Sequence, residues 1–250
     1  MDRKFGWKPD IPDIRDVPFK MMMGFVSTEL PPYVDLRVMC SEIEDQKNVG
    51  SCTANALVGA LEYLERKEKS EYKDLSRLFV YYNERVMEDS VKIDQGAMLR
   101  TGIKTLVKEG VCPEYMWPYT PDNFAVKPFA ECYLAAQNHQ ILNYQRLETL
   151  QEMRACLAEG FPFVFGFAVY ESIDSPITKE TGTVNLPGQS ERMMGGHAVM
   201  AVGYDDLKRR LIVRNSWGKG WGDKGYFTLP YEYVENSNLS ADFWVIKRTE

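Results

Sequence analysis

Two histidines serve the whole 250-residue chain, His139 and His197, so any chemistry that needs an imidazole has two candidates. Cysteine is nearly as scarce: five, at positions 40, 52, 112, 132 and 156, with no C-x-x-C spacing. That pattern excludes a zinc ribbon, a thioredoxin-type pair and a dense disulfide framework. The odd count leaves at least one cysteine free or paired between chains. Long apolar runs are missing too. The longest nearly apolar stretch, Phe161 to Tyr170, is too short to cross a bilayer. The opening MDRKFGWKPDIPDIRD has no apolar leader core, and Met21-Met22-Met23 is too brief to supply one. No membrane anchor is expected, and a cytoplasmic location is. Positive charge is in deficit, with 30 Lys+Arg against 36 Asp+Glu for a net −6. Such a balance argues against nucleic acid as a partner. The 44% hydrophobic and 26% charged content is ordinary globular usage, which rules out disorder, collagen or coiled coil as the main architecture.

What is present falls into two halves. Residues 1–29 are punctuated by Pro9, Pro12 and Pro18, a density that prevents a helix. This extension is either a loose terminus or a short prosegment lying across the body. From Ser51, the apolar stripe Ala54, Leu57, Val58, Leu61, Leu64 predicts a helix with Cys52 at its N-terminal end. Further helices are predicted from near Ser76 to Met87 and from Met98 to Glu109, the latter stopped by Gly110. A fourth opens on Thr149 and Glu152 in capping-box spacing and ends at Gly160. After that the pattern turns to strands: Pro162–Val169, His197–Tyr204, Arg210–Arg214, Gly225–Leu229 and Phe243–Lys247. The fold class is therefore α+β, helical first and β-rich second.

Four residues carry candidate chemistry. Cys52 at a helix N-terminus sits at the positive end of the helix dipole, which favours thiolate. The plain alternative is a buried small hydrophobe. His197, after Gly195-Gly196 and before an apolar strand, is the imidazole a thiolate nucleophile needs. His139, in Ala-Ala-Gln-Asn-His-Gln, reads as a solvated surface residue. Asn215, in the loop Asn215-Ser216-Trp217-Gly218-Lys219-Gly220-Trp221-Gly222, could fix the imidazole tautomer. The same glycines could cradle a phosphate, but a strand follows where a phosphate loop should open a helix. Gln46, six residues before Cys52, could donate to an oxyanion beside the Cys52 N–H.

Together these residues resemble one family. The order Gln46, Cys52, His197, Asn215 is that of papain-like cysteine peptidases (clan CA, family C1). Leu30-Pro31-Pro32-Tyr33-Val34-Asp35-Leu36-Arg37 is similar to the start of a mature domain, and Gly50-Ser51-Cys52 to its nucleophile turn. His197-Ala198-Val199 with Val202-Gly203-Tyr204 resembles its histidine strand. Asn215-Ser216-Trp217-Gly218, Gly220-Trp221-Gly222 and Gly225-Tyr226 resemble its asparagine loop. The resemblance covers roughly residues 30 to 248. Val49 and Thr53 stand where plant and lysosomal members usually carry Cys and Trp, a departure similar to prokaryotic or viral branches built without the family disulfides.

The resemblance implies a two-lobed fold within 30–250: a helical lobe over about 40–140, a β-barrel-like lobe over about 141–242, and the active site in the cleft between. It implies peptide or protein substrates, a monomer, and neither metal nor cofactor. Residues 1–29 would be a short prosegment that blocks the cleft and makes the chain a zymogen. Substrate backbone would bind near Gln95-Gly96. Gly166, Gly195, Gly196 and Ala198 would line a roomy apolar specificity pocket, with Ala97 and Met98 at its rim. Trp217 would shield the Asn215–His197 bond, and Trp221 would floor the primed side. Cys156 is expected in the core, and a Cys40–Cys112 bridge is open on count alone. An acyltransferase, a non-catalytic scaffold on the same fold, and a Gly-loop nucleotide-binding module rank behind the peptidase.

Overall fold

The computed structural model describes residues 3–19, 30–69 and 73–249. The last ten residues of the N-terminal extension, with Met21-Met22-Met23, lie outside the described residues. In chain order come β1 (Trp7–Lys8), β2 (Tyr33–Asp35), α1 (Cys52–Lys69), α2 (Arg77–Met87), β3 (Ala97–Met98) and α3 (Leu99–Lys108). Then follow α4 (Ala130–Ala136), β4 (Ile141–Arg146), α5 (Leu150–Ala158), β5 (Phe163–Tyr170), α6 (Pro176–Thr181) and β6 (Met193–Asp205). The chain ends with β7 (Arg210–Arg214), β8 (Tyr226–Pro230), α7 (Tyr231–Glu235) and β9 (Ser240–Thr249).

Local signals account for the helix ends. The Ser76 hydroxyl accepts from the Phe79 N–H at 3.1 Å and starts α2. Thr149 and Glu152 form the reciprocal capping box that starts α5. Gly110, at φ +73°, takes the left-handed turn after α3, where a side chain would be strained. Helix α1 is buried on nearly every side from Cys52 to Glu65, so it is the central helix of the domain. Two acidic residues are carried into the interior with it, and both are paired. Glu62 accepts from the Ser41 hydroxyl at 2.5 Å and the Leu75 N–H at 3.0 Å. Glu65 meets His139 Nδ1 at 2.6 Å. His139 is thus buried, not a solvated surface residue: Glu65, on a distant helix, supplies a partner that its own flanking sequence does not reveal.

Seven strands form one sheet in the order β4-β9-β5-β6-β7-β8, with β2 added against β6. Every pairing in it is antiparallel. Strand β5 is buried on both faces, which is why it reads as an unbroken apolar run. Its period of two divides the interior. Val164 joins α1, α2 and α3 in one core with Met200, Val202 and Trp244. Phe163, Phe165 and Phe167 fill a second core with Val199, Phe227, Tyr233 and α5. Strand β9 runs to Thr249 and β6 begins at Met193, so His197 lies inside its strand, not at its start. All five cysteines are free and buried, so Cys40 and Cys112 are not bridged. Cys156 lies in the second core.

Candidate active site

Helix α1 delivers Cys52 as its first residue, beside β6. The backbone N–H groups of Ala198, immediately after His197, and of Gly6 favour a Cys52 thiolate. On the other side of the ring, His197 Nε2 lies 2.9 Å from Asn215 Oδ1. That oxygen also accepts from the Ser216 N–H at 2.8 Å, which identifies it as the carbonyl end of the amide. Nε2 must therefore carry the proton, and Nδ1 is the lone-pair nitrogen. Nδ1, the nitrogen nearer the backbone, is buried and has no hydrogen-bond partner among the described residues. It is free to take a proton from the thiol. The Trp217 ring stacks on the imidazole at 4.6 Å and 21°, covering the His197–Asn215 bond from water. Trp221 packs edge-on to Trp217 at 4.8 Å and against Phe227, so it braces the shielding indole.

Gln46 is held from both ends. The Ser216 hydroxyl donates to its Oε1 at 2.7 Å, and the Gln46 N–H bonds the Ser216 carbonyl at 2.9 Å. Its amide nitrogen is thereby aimed at the cleft, where it donates to Val49 O at 3.0 Å and to Lys4 O at 3.2 Å. The same dipeptide, Asn215-Ser216, holds the His197 ring and the Gln46 amide together.

The N-terminal extension lies in this cleft as a strap. Trp7 and Lys8 pair in parallel with Ala97 and Met98, and the Ala97 N–H donates to Gly6 O at 2.8 Å. Gly6 is wedged between two other glycines: a Cβ on it would stand 1.9 Å from Gly50 O, and a Cβ on Gly96 would stand 1.8 Å from Gly6 O. Phe5 lies edge-on to both His197 and Trp217. Arg3 sits 4.6 Å over the Trp217 ring and pairs with Asp174 at 3.1 Å. Lys4–Asp94 at 2.7 Å and Lys8–Glu88 at 3.0 Å pin the next turns. Farther on, Asp10 accepts from the Arg100 N–H and the Trp244 indole, and Asp16 bridges Arg100 and Arg146.

Burial under the strap decides the charge state. It pushes the Cys52 thiol up to about 11 and the His197 imidazole down to about 4, and the nearby Arg3 charge also disfavours imidazolium. In the strapped chain both directions work against a thiolate–imidazolium pair. Next to Cys52, Thr53 hydrogen-bonds Glu84 at 2.8 Å, and burial holds that carboxyl well above the usual range.

The remaining predicted residues sort clearly. Gly166, Gly196 and Gly195 give room to the strap: Cβ atoms there would meet the Trp7 indole at 1.9 and 2.6 Å and Phe5 at 2.8 Å. Ala198 pairs with Gly166 across β5 and β6. Gln95 is exposed, and the strap's backbone pairing begins two residues later, at Ala97. The pocket is not wholly apolar as expected. The Trp7 indole N–H donates at 3.1 Å to buried Asp242. Sequence reasoning missed Asp242, Ser216 and Asp94, whose roles depend on partners remote in sequence. Among the described residues, no group of three or more His, Cys, Asp or Glu could hold a metal, and no helix is long and apolar enough to cross a membrane.

Comparison with known proteins bears on the family and the fold. The family model described as papain family cysteine protease matches residues 30–244. A peptidase C1-like protein of Acanthamoeba polyphaga mimivirus is 41% identical over 99% of this chain and 88% of its own length. Cysteine proteinase 1 of Entamoeba histolytica is 28% identical, over 83% of this chain and 66% of that protein. Among solved structures, xylellain, a cysteine protease from Xylella fastidiosa, superposes with a TM-score of 0.91 at 43% identity, covering 100% of this chain and 99% of that one.

Proposed function

The chain belongs to the papain family of cysteine proteases, a family of peptide hydrolases, and on that premise we propose that it is a latent peptidase whose strap keeps its catalytic pair neutral until it lifts. Cys52 is the nucleophile, His197 the base and Asn215 the residue that fixes its tautomer. With the strap away, water returns to the cleft, which favours both thiolate and imidazolium, and Arg3 leaves, which favours the imidazolium. The thiolate attacks the scissile carbonyl, and the oxyanion is met by Gln46 Nε2 and the Cys52 N–H. His197 Nδ1 then gives its proton to the leaving amine, and water hydrolyses the acyl-enzyme with the imidazole as base.

The observation that carries this reading is the joint hold of Asn215-Ser216 on both the His197 ring and the Gln46 amide. Latency is supported by the direction of the strap. It passes from Trp217 over Cys52 to the Gly166 pocket, opposite to a substrate whose acyl side fills that pocket. Lys4 O takes the Gln46 donor, but the strap's peptide units face the nucleophile in reverse. The test is alkylation of Cys52 by iodoacetamide across pH 4 to 9, read by peptide mass spectrometry. The full chain should label slowly, and any variant that lifts the strap should label fast even below pH 6. Equal, slow labelling in the lifted form would show that the ion pair does not assemble.

A further inference from the structure

The Trp7 indole lies in a slot whose walls are glycine. A Cβ at Gly166 would come within 1.9 Å of the ring and one at Gly196 within 2.6 Å, so the slot exists only because both side chains are missing. Its far end is closed by Asp242. The carboxylate is carried there by an irregularity in β9: between Gly166–Ala241 and Val164–Trp244 the register slips, and Asp242 takes φ +60°. Both carboxylate oxygens are occupied. Oδ1 accepts from Arg146 at 3.3 Å. Oδ2 accepts from the Trp7 indole at 3.1 Å and from the Asp10 N–H at 2.8 Å, and both of these donors belong to the strap.

When the strap leaves, Oδ2 loses both donors while Oδ1 keeps Arg146. Asp16, the other acid on Arg146, leaves with the strap, so the guanidinium is left to Asp242. The open slot is thus flat, apolar along its glycine walls, and ends in one unpaired acceptor whose charge is already matched. A phenyl ring would enter the slot but leave that oxygen without a donor. A guanidinium or ammonium would bring a second cation beside Arg146. An indole fills the slot and supplies the edge N–H.

We propose that Asp242 is the specificity-determining residue of the main pocket, and that it selects peptide substrates presenting a tryptophan side chain there through a hydrogen bond to the indole N–H. This rests on the peptidase reading above. The strap's Trp7 is then a side-chain mimic of the preferred substrate, carried on a reversed backbone.

Two measurements on the full chain test it. The first compares kcat/KM for quenched fluorescent peptides that differ only in carrying Trp, Phe or Arg at each of the three positions before the scissile bond, with the wild-type chain and its Gly6→Ala variant. At one position Trp should exceed Phe and Arg by about tenfold or more, as expected for one hydrogen bond to a charged group. Asp242→Asn, a residue that tolerates the left-handed backbone, should bring the Trp-to-Phe ratio towards one. Phe equal to Trp, Arg the best of the three, or a ratio unmoved by Asp242→Asn would overturn the proposal. The second needs no turnover. Trp7→Phe removes the indole donor along with part of the ring and should speed Cys52 alkylation about tenfold, and the part of that gain due to the donor should vanish when Asp242 is already Asn. An unchanged labelling rate would overturn the pocket assignment. If no peptide is cleaved while this second result holds, the peptidase reading fails and the Trp7–Asp242 recognition stands.

Discussion

Substituting Gly6 by alanine isolates the strap from the enzyme beneath it. Gly6 has no left-handed backbone angle, so the added methyl strains nothing by itself and acts only through contact. That contact is severe, because the new Cβ would stand 1.9 Å from Gly50 O and 2.5 Å from Gly50 C. Both are backbone atoms that no rotamer change can move. Restoring an ordinary contact requires the strap to lift by roughly 1.5 Å, which also stretches the Ala97–Gly6 hydrogen bond, now 2.8 Å. Overpacking of this kind costs about 1–3 kcal/mol, and a lost backbone hydrogen bond about 1 kcal/mol. A total of about 2–4 kcal/mol raises the strap-open fraction about 30- to 700-fold. Cys52 is fully buried when the strap is down, so its alkylation rate reports that fraction directly. The assay is iodoacetamide labelling at pH 6, with the melting temperature followed alongside to show that the body stays folded. Labelling at the wild-type rate with an unchanged melting temperature would refute the argument: the strap would not be what covers the thiol.

Three further outcomes follow from the same contacts. Gln46→Ala removes one oxyanion donor and should lower kcat by about 2.7–4 kcal/mol in barrier; steady-state kinetics showing a near-normal rate would remove Gln46 from the mechanism. Asp10 is pushed up to about 6 by burial and by Asp242 beside it. Its pKa is raised in the docked state, so its contribution to docking is fully present below about 4 and is lost as pH rises through 6. The Cys52–His197 pair is common to the wild type and Asp10→Asn, so its own titration cancels in their ratio. Wild-type labelling relative to Asp10→Asn should therefore climb between pH 4 and 6, and a flat ratio would contradict it. His139→Ala strands the buried Glu65 carboxyl and should destabilise the fold by about 3–5 kcal/mol in urea unfolding, whereas a cost under 1 kcal/mol would mean the pair is not a structural one.

Helix starts and stops could be read from the chain because their causes are local. Ser76 caps its own helix, Thr149 and Glu152 lie three residues apart, Gly110 alone suits its backbone angle, and Phe163 to Val169 are apolar because both faces of one strand are covered. Short elements such as α4 and β4 escaped, since α4 has only two buried residues and β4 only one. Gln46, Cys52, His197 and Asn215 were legible as a spaced set, but their joint orientation was not. It depends on Ser216 reaching across 170 positions to Gln46. The same holds for His139 beside Glu65, 74 positions away, and for Asp242 in the Trp7 slot, 235 positions away. A hydrogen bond across such distances leaves no periodicity or spacing in the chain. The residues and their chemistry were present in the sequence, and the resemblance implied a prosegment over the cleft; which buried polar group meets which, and which strap residue fills which part of the cleft, was decided by tertiary packing. Burial requires each polar group to find a partner, and only the folded chain determines which one is within reach.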